Sequence, residues 1–327
     1  MAETPAIEVR GLKVHFPGRA GRGVVRAVDG VDLSIRRGTF HGVVGESGCG
    51  KTTLARAIIG LQKVTEGQVL IEGRDRAEWQ RDDRKGFSRA VQFVFQDPLG
   101  SLSRRQTVLQ SIEEPLQIHG AGSRDERMRR VEELLDLVAL PATVLHRLPR
   151  SLSGGQRQRV SIARALALQP SMLICDEPLS ALDVSIRAQI VNLFKSLQER
   201  LGLTIVLIAH DLAIVREICS TVTVMYLGKV AEAGEARPLF HDPSHPYSQA
   251  LLAAVPSPDP RIEAERRRVI LAGDPPSPSA PPPGCRFSTR CPVARDICGR
   301  EEPALRAVSH GGLAACHFAD PEGHPHV

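Results

Sequence analysis

The chain has 327 residues, 42% of them hydrophobic and 24% charged, with a formal net charge of +5. That supplies a core for one large domain or two smaller ones, without need of disulfides, and the mild, dispersed basic balance says little on its own about nucleic acid. The N-terminal "MAETPAIEVRGLKVHF" lacks the apolar centre of a secretory signal, and no apolar run approaches the roughly 18 residues a membrane helix needs, so a cytosolic, reducing setting is expected and disulfides are disfavoured.

In chain order, Ile7 to Lys13 and Val24 to Ile35 alternate and are β-branched, which predicts strands. "GTFHGVVGESGCGKTTLARAIIGL" predicts strand, glycine-rich turn and helix, and "GQVLIEG" and "RAVQFVFQD" two further strands. From Thr107 to about Leu140 the apolar spacing turns helical, and another helix is expected from Gly154 to about Ala167. "SMLICDE" and "LTIVLIAH" read as buried strands flanking the amphipathic helix "VSIRAQIVNLFKSLQERLG". This alternation implies an α/β core with a mainly parallel sheet. Past Pro238 the chain becomes proline-rich and leads into a tail holding Cys285, Cys291, Cys298 and Cys316.

The stretch "GESGCGKTT" (Gly45, Glu46, Ser47, Gly48, Cys49, Gly50, Lys51, Thr52, Thr53) matches G-x-x-x-x-G-K-[ST] between a strand and a helix. Its glycines allow backbone amides to face phosphate oxygens. Lys51 would meet the β- and γ-phosphates, and Thr52 would offer its hydroxyl to Mg²⁺. A glycine-rich turn without ligand is the bland alternative, and the flanking elements argue against it. Cys49 occupies a variable position of the motif. In "SMLICDEPLSALD" a buried strand ends in Asp176, suited to the Mg²⁺ shell, and Glu177, suited to polarise an attacking water. The same carboxylates could merely cap the next segment. "LSGGQ" then offers a second anion site at a helix N-terminus, from Ser153, Gly154, Gly155 and Gln156. One nucleotide does not need two such sites in one chain. The second is therefore expected to serve a nucleotide held by a partner copy, in a dimer with ATP sandwiched between loop and SGG turn.

"GESGCGKTT", "LSGGQ" and "LICDEPLSALD", in this order, resemble the ATPase subunit of an ATP-binding cassette (ABC) transporter. The resemblance implies a P-loop NTPase cassette: a RecA-like core with a mixed sheet plus a helical subdomain at about residues 100–165. It also implies that Gln96 senses Mg²⁺ and the γ-phosphate, that Asp183 communicates across the dimer, that His210 is the switch histidine, and that His15 or Phe16 stacks on adenine. "AVDGVDLSI", "FQDPLGSL", "IAHDLAIV", "VMYLGKV" and "HPYSQALLAAVP" further resemble the oligopeptide/dipeptide (and nickel) importer ATPases. "SLSRRQT" departs from that pattern, since an Asn-Pro pair is expected at Ser103 and Arg104.

The implied organisation is an ATPase domain over residues 1–240 and a small irregular extension over 241–327. The implied function is ATP hydrolysis, with catalysis by Lys51, Gln96, Glu177 and His210, that energises oligopeptide or dipeptide import. The implied partners are a second ATPase subunit, two transmembrane permease subunits and an extracytoplasmic binding protein, at the cytoplasmic face of the membrane and without nucleic acid. Nickel or another small solute is the alternative cargo. A soluble ABC ATPase acting on nucleic acid or ribosomes, and a purely regulatory nucleotide binder, are the rival classes. The four tail cysteines suit one [4Fe–4S] cluster, with Zn²⁺ or unliganded core thiols as alternatives. Arg286, Arg290, Arg295 and Arg300 among them could support thiolates or offset a cluster's charge.

Overall fold

The structure, a computed structural model, describes residues 4–18, 23–180, 182–255, 273–309 and 311–319. Part of the expected proline-rich bridge, residues 256–272, lies outside the described residues.

The chain opens with strands β1 (Ile7–Pro17), β2 (Val24–Ile35) and β3 (Phe40–Val44), then helix α1 (Lys51–Ile58) and strand β4 (Glu66–Ile71). A short strand β5 (Arg74–Asp75) leads into helices α2 (Arg76–Asp82) and α3 (Arg84–Ala90) and strand β6 (Val91–Val94). Helices α4 (Pro98–Ser101), α5 (Val108–His119), α6 (Arg124–Leu137) and α7 (Gly154–Leu166) follow. The motif-bearing strand β7 (Met172–Asp176), helix α8 (Val184–Leu201) and strand β8 (Thr204–Ala209) come next. The chain continues through α9 (Leu212–Ile218), β9 (Thr221–Tyr226), β10 (Lys229–Glu235), α10 (Ala236–His241) and α11 (Pro246–Ala253). The tail holds α12 (Asp296–Arg300), β11 (Arg306–Ala307) and β12 (Leu313–Ala314).

The expected helical stretch after Thr107 is two helices. Gly120, in the left-handed region at φ 65°, ends α5, and Ser123 starts α6 with a capping box to Glu126. The strand expected from Arg89 begins only at Val91, because α3 runs to Ala90.

Residues 71–209 form one compact unit together with short N-terminal pieces. Here β7 pairs in parallel with β6 on one side and β8 on the other, and all five residues of β7 are buried. A strand covered on both faces must be apolar throughout, which explains the uninterrupted "MLIC". Helices α4, α5 and α6 pack on α7. Val108, Ile112, Val131, Leu134, Val160 and Ile162 form their shared apolar layer, each fully buried.

The second unit contains the described residues of 7–34, 41–70 and the stretch from His210 onward. In it β1 lies between β2 and β4, β3 pairs in parallel with β9, and β9 turns back into antiparallel β10. Leu227 and Gly228 make that turn with φ of 43° and 80°, the geometry a tight hairpin requires. β12 adds to β10, so the tail continues the sheet that β3 begins.

Candidate nucleotide-binding site

The loop between β3 and α1 owes its curl to glycines that no other residue could replace. At Gly45 (φ 147°) a Cβ would lie 2.2 Å from the Met225 carbonyl, and at Gly50 (φ 108°) another would lie 2.1 Å from the Ala27 carbonyl. Gly50, which has no side chain, stands at the N-cap of α1 and makes no side-chain cap hydrogen bond to the helix's first turn. Lys51 is buried and folds back into the loop, its ammonium donating to the carbonyls of Gly45 at 2.7 Å and Glu46 at 2.8 Å. The result is a backbone cradle with a cation at its centre, which fits a polyphosphate. Ser47 and Gly48 are exposed at its rim, and Thr52 and Thr53 are half-buried on the first turn of α1. Cys49 is buried, and burial pushes its thiol above the ordinary range, so it stays neutral.

His15 is committed elsewhere: its Nε2 lies 2.9 Å from Asp29 Oδ1, while the half-buried ring of Phe16 follows it on β1. His210 is exposed, one residue before Asp211, whose carboxylate caps α9 by accepting the Ala213 amide at 3.0 Å.

In the other unit, Asp176 closes β7 with 2% exposure. Glu177 follows in the left-handed region at φ 45°, a conformation that costs energy for a residue with a side chain and that recurs at functional sites. Its amide donates to the Ile208 carbonyl at 3.0 Å, and its carbonyl accepts the Ser180 hydroxyl at 3.0 Å. These bonds hold the strained turn and aim the carboxylate, whose Oε2 accepts from Gln96 Nε2 at 3.0 Å. Gln96 and Glu177 are thus brought together from distant sequence positions. Asp183 is exposed at the start of α8.

The "LSGGQ" turn starts α7 through a reciprocal capping box. Ser153 Oγ accepts the Gln156 amide at 3.2 Å and Gln156 Oε1 accepts the Ser153 amide at 3.0 Å. The Ser153 hydroxyl proton remains available for donation. Gly154 occupies N1 of the helix, and a Cβ on Gly155 would sit 2.5 Å from Ile186 Cγ2, so α8 can approach only a glycine there.

Cys285, Cys291, Cys298 and Cys316 all line one cavity of about 10 Å³, together with Phe287 and Phe318. This has room for about one water. Among the described residues no group of three or more His, Cys, Asp or Glu could hold a metal ion. The donors suit a cluster in kind, but they are not gathered into a ligand set in this arrangement. Burial pushes the Cys285 thiol up to about 11 and raises Cys291 and Cys316 as well, which marks neutral thiols. Three of the four arginines expected to support them have other partners. Arg286 binds Asp29 and the Leu227 carbonyl, Arg290 binds Glu46, and Arg295 covers the Phe318 ring at 4.2 Å. Arg290, expected beside the thiols, instead touches the phosphate loop at Glu46, and so does Tyr247, to which the sequence alone assigns no role.

The ABC transporter family model matches residues 28–180, and the oligopeptide/dipeptide transporter C-terminal region matches residues 231–298. The oligopeptide transport ATP-binding protein AppF of Bacillus subtilis is 47% identical over 318 residues, covering 95% of this chain and 97% of its own. OppF of Salmonella typhimurium, also an oligopeptide transport ATP-binding protein, is 46% identical over 323 residues and 96% of each chain. Among solved structures, the cassette MJ0796, a dimer in a post-hydrolysis state with ADP and Pi, superposes with a TM-score of 0.64 at 33% identity, covering 71% of this chain and 99% of that one. CbiO1 of Clostridium perfringens, part of the ABC transporter complex cbiONQ, gives 0.65 at 28% identity, over 73% of this chain and 92% of that one. These relatives do not favour an ATPase acting on nucleic acid or ribosomes. The chain belongs to the ABC ATPases, in the branch that carries the oligopeptide/dipeptide transporter C-terminal region.

Proposed function

We propose that this ATPase energises the import of oligopeptides or dipeptides. The observation that carries the reading is near-full-length identity, extension included, to two oligopeptide transport ATP-binding proteins. In this reading residues 1–240 are the ATPase domain, with its helical subdomain at about 100–165, and residues 241–327 are the extension. Among the described residues no helix is long and apolar enough to cross a membrane. In this reading the work falls at the cytoplasmic face, with a second ATPase subunit, two permease subunits and an extracytoplasmic binding protein.

The loop amides from Gly45 to Thr53 and the Lys51 ammonium bind the phosphates, and Thr52, Asp176 and Gln96 would hold Mg²⁺. When bound, that ion neutralises phosphate charge. Phe16 is the better candidate to stack on adenine, because His15 is engaged by Asp29. Glu177 orients and polarises the water whose oxygen bonds to the γ-phosphorus as the bond to ADP breaks. His210 donates to the γ-phosphate. Ser153, Gly154, Gly155 and Gln156 close on the nucleotide of the partner subunit, and Asp183 relays between the two sites. Catalysis is then chiefly charge placement.

The four tail cysteines are part of the proposal as a [4Fe–4S] site, with Zn²⁺ as the alternative. Their common cavity supports a shared thiol site, and they must draw together to ligate. Iron and sulfide analysis of anaerobically purified protein tests this, and a colourless, metal-free, fully active protein overturns it. The transport reading is tested in vesicles carrying the whole transporter. ATP-dependent uptake of a labelled tripeptide is expected with this chain and none with Glu177→Gln; uptake that proceeds without the chain would refute it.

A further inference from the structure

The carboxylate of Glu46 lies within the phosphate-binding loop, where it would repel a polyphosphate. Arg290 meets it with both terminal nitrogens: Nη1 donates to Oε2 at 2.8 Å and Nη2 to Oε1 at 3.1 Å. The Arg290 side chain is 7% exposed and Glu46 28%, so the pair is shielded from water and salt. A paired, planar contact of this kind fixes direction as well as charge. Nη1 also reaches the Tyr226 hydroxyl at 3.3 Å. The backbone of the same residue is held independently, since the Glu46 amide donates to the hydroxyl of Tyr247 at 2.8 Å.

Both grips come from the C-terminal part of the chain. Tyr247 is on α11 and fully buried, and Arg290 stands between Cys285 and Cys291. They are braced by an aromatic cluster in which Tyr226, Tyr247 and Phe287 stand 4.6 to 5.4 Å apart, centroid to centroid. Such packing keeps the grips from following Glu46 if it moves.

We propose that Arg290 and Tyr247 are positioning residues for nucleotide binding, through which the C-terminal extension holds the phosphate loop open and cancels the Glu46 charge before ATP arrives. Neither residue touches the nucleotide; they act on the loop that does. The inference rests on the phosphate-binding role given to that loop above. Removing Arg290 leaves a bare carboxylate beside the phosphates and a loop anchored at one point instead of two. Both consequences weaken ATP binding and leave the hydrolytic step alone. Removing Tyr247's hydroxyl strands a loop amide without its acceptor, with a smaller effect in the same direction.

The test uses the full-length chain, with equilibrium binding of a fluorescent ATP analogue and steady-state ATP hydrolysis. Arg290→Ala is expected to raise the Kd and KM for ATP about tenfold, in the range measured for close charge pairs, with kcat at saturating ATP within about twofold. Arg290→Lys, which keeps charge without the paired geometry, falls between, and Tyr247→Phe raises KM about threefold. Adding Glu46→Gln to Arg290→Ala should recover most of the lost affinity, which a merely structural arginine would not allow. If Arg290→Ala fails to fold, Arg290→Lys carries the comparison. Wild-type Kd in folded arginine variants, a loss confined to kcat, or no recovery with Glu46→Gln overturns the proposal. Lys51→Ala separates the two levels. If it binds ATP normally, the role of the loop itself is wrong; if it loses ATP while the Arg290 variants do not, only the positioning inference fails.

Discussion

Gln96 and Glu177, 81 positions apart in sequence, are joined by a 3.0 Å hydrogen bond from amide to carboxylate. The bond pre-orients the carboxylate that the strained turn after β7 presents. Glu177→Gln keeps the size of the side chain and removes its ability to polarise water. Phosphate release should fall by roughly 100-fold or more, while ATP affinity changes less than about threefold. Unchanged turnover in the folded variant would remove Glu177 from the chemistry.

Asp29 binds Arg286, which is 7% exposed, and also His15. Burial opposes its ionisation, but hydrogen bonds from His15 and Arg286 outweigh this and hold the carboxyl below its ordinary range. Asp29→Ala leaves a buried guanidinium without its carboxylate and should cost about 3–5 kcal/mol in chemical denaturation. A cost below roughly 1 kcal/mol would show that Arg286 finds full compensation elsewhere.

His41 and His245 are fully buried, and burial lowers each from 6.5 to about 4. His41 sits between the hydroxyls of Thr221 and Thr223, and His245 Nδ1 accepts the Tyr247 amide. Below pH 6.5 the unfolded chain takes up protons that the folded chain refuses. Stability is therefore full above that pH and falls as pH drops towards 4, by about 3 kcal/mol per histidine. Melts across this window should show the loss, and His41→Gln should flatten it by about half. An unchanged slope in that variant would mean His41 is not the titrating group.

Gly155 faces Ile186 so closely that an added Cβ would approach Cγ2 to 2.5 Å. Gly155→Val should lower stability by about 1–3 kcal/mol through overpacking and weaken ATP-dependent dimerisation. Thermal melts and sedimentation with Glu177→Gln as background would read the two effects. A variant that dimerises normally would detach the turn from the sandwich interface.

The motif-bearing parts were legible because their chemistry is local. A loop of glycines before a lysine, or "MLICDE" with its apolar run and terminal carboxylates, dictates its own backbone and burial. The short helices α2 and α3 were missed. Their caps, Asp75 and Asp83, stand in a heavily charged stretch where no apolar period announces a helix. The pairing of Arg290 with Glu46, separated by 244 positions, was illegible for a different reason. Arginines interleaved with cysteines look like thiolate partners in sequence, and only the fold shows that the side chains turn to the loop.

Glu232 on β10 is wholly buried, and its carboxylate accepts the amides of Ser244 at 2.8 Å and His245 at 3.1 Å. A chain cut before those residues would take two amide donors from a carboxylate in the core, and an extension grafted onto another cassette would need a buried acceptor at the same place. The extension is thus a poor candidate for shuffling between transporters. Its lineage and that of the ATPase it caps are expected to coincide, with changes at Glu232 and at the start of α11 inherited as a pair.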